Sequence, residues 1–468
     1  MTSAMSSAAS TVNSSAIDAI LDHLTSVTYE RLPDSSILAA KVFLKDSFAV
    51  ALSGSRVPTV AAVKQAVQGW GQGQQAQVWA TGEWLPAGNA ALINGFQIHN
   101  QEWDAVHEKA VVHPMATIVS ALVAYAQQHE LTGKQLLLGL ILAVDVATLI
   151  GSCVTSGLRF FRPACCGALG VAAGISAMLG LSREQTHQAL GIAYSQLSGT
   201  MQAHVEGSPM LAMQIGINAR AAMHAVDLAR AGFTGPKDIL EGPFGYFKLY
   251  EQSYQLSELF DRLGRQHQIE QISHKPYPTG RAGHGAVDAI LTLQQQHRFS
   301  AADIEQIYIT APPLILRLVD RPVRADMDSS YAKLCQGYIA ACALLHGQVS
   351  VTDFDEAALR DSERLALANR VSMALSDCSD PNALAPIDVK LRLKGGSELG
   401  LFLPAVLGHP QRPLSPDQQQ QKFLAAVASC VVPYSPQDWQ QLINAIDQLE
   451  QLANSSDLVS LLISPTHR

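Results

Sequence analysis

Apolar residues recur at helical spacing over most of the first 265 positions. Ile17, Ile20, Leu21, Leu24 and Val27 mark a helix over 17–31, and Ile37, Val42, Phe43, Phe48 and Val50 mark one over 34–51. Further helices are expected over 60–70, 86–100, 113–129, 132–150, 167–180, 182–197 and 209–231, roughly eight or nine in all. The punctuation agrees: Asp34 or Ser35, Thr132 and Ser182 can cap, Pro114 suits a first turn, and Gly54 ends a helix. Gln77 to Ala80 reads as a short strand or turn between helices.

The period changes near residue 268. Ile304 to Thr310 and Ile387 to Leu393 alternate apolar and polar, and Gly395-Gly396 turns the chain into a third strand, Leu399 to Pro404. Helical patterns over 285–297, 330–346 and 361–370 lie between these strands, and helices return over 417–428 and 436–453. The expected fold is mainly α. A tail at 1–15 precedes a helical domain over 16–267, an inserted α+β lid covers 268–404, and 405–468 returns to the helical domain.

Composition supports a large core. Of 468 residues, 48% are hydrophobic and only 15% charged, which excludes a disordered chain. The net charge of -8, without a basic stripe, excludes nucleic acid as the expected partner. Leu136 to Gly151 is the most membrane-like run, but it is short and carries Asp145, so a buried helix is expected and no membrane span. Seven scattered cysteines without a CxxC pair, and no basic-plus-apolar leader, point to a cytoplasmic protein.

Two polar stretches interrupt the apolar background. Gln97 to Pro114 holds His99, Glu102, Asp104, His107, Glu108 and His113, and His274 to His284 reads HKPYPTGRAGH. Dinucleotide glycine fingerprints, phosphate loops and GxSxG elbows are missing. Glu102, Asp104, His107 and His113 are competent zinc ligands, but no HExxH spacing links them; a solvated loop is the plainer alternative, and metal-free chemistry the reading preferred to both.

The run NAALINGFQIHNQEWDAVHEKAVVHPMATIVSALVAYA resembles the MmgE/PrpD family. So do GALGVAAGISAMLGLSREQTHQALGIAYSQLSGT, AGFTGPKDILEGPFGYF, KPYPTGRAGHGAVDA and GHPQRPLS, in family order over nearly the whole chain. The resemblance implies a helical domain with an α+β lid, a homodimer, a small carboxylate substrate held between the domains, and no metal or organic cofactor. The family's acidic motif, Asp-Phe-Asp-Asp before His-Pro, becomes Glu102-Trp103-Asp104-Ala105 before His113-Pro114; the second motif falls on Lys275, Arg281 and His284. Two positions depart. Phe161 stands where the decarboxylase pattern has histidine, and Leu211-Ala212-Met213-Gln214 replaces a Lys-x-Leu-His run. Arg162, His204 and Glu206 are the candidate replacements.

The chemistry implied is proton removal beside a carboxylate, which needs a base near neutral pKa and donors for the growing charge. Asp104, His107, His113 and His284 are the candidate catalytic residues, with His113 kept neutral by a helix N-terminus and His107 one helical turn from Asp104. Glu102, Arg162, His204, Lys275 and Arg281 are the candidate substrate-binding residues, with Arg281 as a carboxylate clamp. The expected function is a cofactor-independent lyase, a hydro-lyase or decarboxylase, on a small di- or tricarboxylic acid. The alternatives are an isomerase or epimerase of a substituted dicarboxylate such as iminodisuccinate, and a non-catalytic carboxylate-binding protein.

Overall fold

A computed structural model describes residues 15–466. The expected tail at 1–15 therefore lies outside the described residues, save Ser15, which caps the first helix through its side chain. The helices in order are α1 Ala16–Ser26, α2 Asp34–Gly54, α3 Thr59–Gln68, α4 Ala87–His99, α5 Pro114–His129, α6 Gly133–Ser152, α7 Arg162–Leu179, α8 Arg183–Tyr194, α9 Gln202–Glu206 and α10 Met210–Arg230. Short helical turns at Tyr246–Leu249 and Ser257–Arg262 raise the number above the expected eight or nine, because one-turn helices carry no readable period. Thr132 closes a capping box with Gln135, and Ser182 closes one with Gln185. Pro33, not Asp34, precedes the first turn of α2, and Asp34 sits inside it.

At the centre, α4, α5, α7 and α10 pack on one another, with α6 against α7. Every residue of α4 is buried, which explains its lack of a polar face. Small residues let these helices approach: a Cβ on Gly174 of α7 would lie 2.6 Å from the Gly139 carbonyl oxygen of α6. Helices α6 and α7 are long and apolar enough to cross a membrane, but 89% of each apolar window is buried inside the protein. Asp145, in the middle of α6, accepts hydrogen bonds from His23 of α1 at 3.1 Å, His267 at 2.7 Å and the Gln268 backbone at 2.6 Å. The charge that argues against a membrane span is thus the fastening point of three segments.

The strands are β1 Ala76–Gln77 paired with β2 Trp84–Leu85, and a four-stranded sheet ordered β4-β3-β5-β6. The latter comprises β3 Ile304–Ala311, β4 Val371–Leu375, β5 Ile387–Leu393 and β6 Glu398–Leu403. Strand β4 pairs parallel with β3; the other pairings are antiparallel. The β5–β6 turn uses Gly396 at φ 83°, a conformation that favours glycine. Strand β4 escapes the sequence pattern because it is a short edge strand with little burial on either face. The helix His284–His297 covers the sheet beside β5 and β6. Beyond the sheet, Pro416–Ala428 and Pro436–Asp447 pack on α2, and Ser456–Leu461 packs on α5.

Candidate active site

Helix α4 ends at His99, and the chain then crosses to α5 without regular structure. Glu102 takes a left-handed backbone at φ 53°, which costs a non-glycine residue about 1–3 kcal/mol. Its partners over-determine that conformation. Lys275 Nζ, itself fully buried, donates to the Glu102 carbonyl at 2.9 Å and to its carboxylate at 3.1 Å. Lys422 Nζ donates to the Trp103 carbonyl at 3.0 Å. Val106 and Ser273 exchange two backbone hydrogen bonds. The crossing is therefore a rigid shelf held from the second polar stretch, not a solvated loop.

Asp104 is the centre of the shelf. Its carboxylate lies 2.9 Å from His99 Nδ1, 3.2 Å from His113 Nδ1 and 3.7 Å from Lys275 Nζ. Burial opposes its ionisation, but these neighbours hold its pKa well below the usual carboxylate range. An ionised carboxylate only accepts, so both imidazoles donate through Nδ1. The two rings meet edge to face with centroids 5.0 Å apart, yet their pKa values move in opposite directions. Burial pulls His99 down, but the charges of Asp104 and Glu102 outweigh it and raise the pKa. Burial and Lys275 lower the pKa of His113. His99 thus holds its second proton more tightly than His113 does, and a neutral His113 that donates through Nδ1 keeps a lone pair on Nε2. Glu102, 3.5 Å from His99 Nε2, is held ionised at about 2: burial raises its pKa, but Lys275 and His99 override that.

A cavity opens over this group. His99, Glu102, His113 and His204 line one side, while Leu158, Phe161, Leu211, Leu318, Leu334 and Leu384 supply an apolar wall. Phe161 and Leu211, the two positions that depart from the resembled motifs, both belong to this wall. Burial pushes the pKa of His204 down to about 4, and Arg321 Nη2 bonds its ring Nδ1 at 2.9 Å. Arg321 Nη1 is buried without a hydrogen-bond partner among the described residues.

Four expected residues are placed differently. His107 does not meet Asp104: the chain there is extended, bridging Val112, so the ring turns to Gln268 at 3.3 Å and burial lowers its pKa to about 4. With His107 elsewhere, the ligand set Glu102, Asp104, His107 and His113 is not assembled. At this site the atoms that could hold a metal are those of His99, Asp104 and His113, within 4.8 Å of one another, though the nearby Lys275 ammonium disfavours a dication; His23, Asp145 and His267 form a second such group away from it. Arg281 lines the cavity but is not a free clamp. Its five N–H donors face Glu108 Oε1 twice, at 3.0 and 2.7 Å, and the carbonyls of His274, Val406 and Leu407. Arg162 is fully buried on Glu251, Asn382 and the Ser156 carbonyl. His284 bonds the Thr279 carbonyl at 3.1 Å and lies outside the cavity lining. Conversely, His99, named with the first polar stretch but given no role there, lines the cavity, and Arg321, which the sequence did not single out, reaches it through His204. His99 carries a legible signal, a histidine at a helix end five residues before Asp104; Arg321 carries none.

Known proteins match the chain over most of its length. The model of the MmgE/PrpD N-terminal domain matches residues 18–259, and that of the MmgE/PrpD C-terminal domain matches 277–449, past the boundary at 404 drawn from pattern. Cis-aconitate decarboxylase of Mus musculus is 26% identical, covering 93% of this chain and 91% of its own. Cis-aconitate decarboxylase of Aspergillus terreus is 25% identical over 98% of both. A 2-methylcitrate dehydratase of Escherichia coli O157:H7 is 26% identical over 52% of this chain and 51% of its own. The chain belongs to the MmgE/PrpD family.

Proposed function

We propose that the chain is a cofactor-independent lyase that removes a proton, or carbon dioxide, beside a carboxylate of a small organic acid. The observation that carries this reading is the split pair of histidines on Asp104. Two titratable groups whose surroundings push them apart form an acid–base couple. His113 Nε2, neutral and facing the cavity, accepts the proton from carbon. His99, protonated, donates to the departing hydroxyl in a dehydration or to the carbanion left by decarboxylation. Asp104 positions both rings and stabilises each imidazolium. Both curated activities among the relatives, a decarboxylase and a dehydratase, belong to the lyase class.

The apolar wall narrows the substrate. Phe161 and Leu211 offer no charge to a third carboxylate, so the preferred acid has fewer charged groups than a tricarboxylate. Incubating candidate mono- and dicarboxylic acids with the protein in deuterated water tests the reaction. A new alkene or loss of carbon dioxide, followed by NMR, supports the lyase. Label uptake without net reaction replaces it with the isomerase, and silence across the panel leaves a carboxylate binder.

A further inference from the structure

Among the described residues, three lysines are buried: Lys275, Lys333 and Lys422. Two are neutralised at once. Lys275 lies 3.1 Å from the Glu102 carboxylate and Lys422 lies 2.6 Å from that of Asp46. Lys333 is different. It is 2% exposed, its Nζ donates to Ser329 Oγ at 2.7 Å, and no described carboxylate lies within ion-pair distance. The charges of Glu102, Asp328 and Asp355 act on it from beyond ion-pair distance, and the Phe354 ring lies 5.4 Å away. Burying an ammonium without a counter-ion is costly, and structures pair such charges or let them neutralise.

The surroundings show what the charge faces. Lys333 lines a second cavity of about 220 Å³, together with Ser208, Ser329 and Ser330. A water molecule occupies roughly 30 Å³, so several heavy atoms fit. His99, Glu102, Leu211 and Leu334 line both this cavity and the one over Asp104, so the two are adjoining lobes of one site. The second lobe also carries two carboxylates, but both are engaged. Glu102 is neutralised by Lys275, and Asp328 accepts from the Tyr331 backbone. Burial pushes the pKa of Lys333 down to about 8, which leaves it protonated at neutral pH.

We propose that Lys333 anchors a carboxylate of the substrate remote from the reacting carbon, so that the enzyme selects acids with a second anionic end. The reacting end then lies over the His99–Asp104–His113 group and the remote end in the lobe walled by Lys333 and the serines. This rests on the cavity being the substrate site proposed above. The anchor contributes binding and register, not proton transfer.

The test uses two probes of one shape, succinate and its monoamide succinamate, titrated calorimetrically into the full-length protein. A hydrogen bond to a charged group contributes on the order of tenfold or more in affinity. The wild type should therefore bind succinate about tenfold more tightly than succinamate. Lys333→Met should bring the two affinities together, while Lys333→Arg keeps the preference. If Lys333→Met does not fold, Lys333→Gln takes its place with the same expected loss. Retained preference in the neutral variant, no preference in the wild type, or no binding of either probe overturns the anchor. Because these are binding measurements, they separate from failure of the lyase reading: silence in the exchange screen with the charge preference intact retires the chemistry and leaves Lys333 as the anchor.

Discussion

His113 and His99 share one carboxylate yet are expected to work in opposite protonation states, and kinetics can read that. Activity needs His113 neutral, so kcat/KM should fall as pH drops through its lowered pKa, below the ordinary 6.5. It needs His99 protonated, so kcat/KM should also fall as pH rises through its raised pKa, above 6.5. His113→Ala should abolish the acid limb and reduce kcat by about 10²–10⁴-fold with little change in KM. A flat profile in the wild type, or an unchanged kcat in the variant, would remove the couple. Arg281 gives the contrasting case. It faces Glu108 and three backbone carbonyls, so Arg281→Met should destabilise the protein by about 3–5 kcal/mol, as loss of one partner of a buried ion pair does. Denaturant unfolding checks this; native stability with only a raised KM would restore the clamp.

Among the elements, the periods of the longer helices were legible, as were the capping boxes at Thr132 and Ser182, while the five-residue α9 and the start of α2 at Pro33 were not. Side-chain direction was not. Asp104 and His107 are three apart, and only a helical turn would have joined them; the bridge from His107 to Val112 makes the chain extended instead. Arg281 read as a carboxylate clamp and Arg162 as a substrate-binding residue, but the sequence does not display the carboxylates and carbonyls that occupy them. Lys333 was invisible for a similar reason, since what distinguishes it is a missing partner.

The fastening of α1, α6 and His267 at Asp145 makes an element-level prediction. Burial lowers the pKa of His267, but its hydrogen bond and charge attraction to Asp145 raise it overall. A raised histidine contributes stability that is fully present below 6.5 and lost as pH rises through the folded value. Unfolding free energy should therefore decline with pH above 6.5, and Asp145→Asn should flatten that part of the slope. The α6–α7 seam is equally checkable. Gly174→Val places atoms against Gly139 and Ala143 and should destabilise the fold by about 1–3 kcal/mol, read from the denaturation midpoint.

At the scale of the whole molecule, the homodimer implied by the family resemblance predicts a solution mass near twice 50.1 kDa by light scattering, and a monomer mass would retire it. The shelf that carries Glu102 to Glu108 has a different consequence. Its anchors, Lys275, Arg281 and Lys422, all lie more than 160 residues downstream, beyond the segment matched by the N-terminal family model. The halves are therefore not modular in exchange. A chimera that takes its first 260 residues from this chain and the remainder from a relative inherits a working shelf only if the donor brings cations to all three positions. Recombination within the family is constrained to keep loop and anchors together, although 173 or more residues separate them.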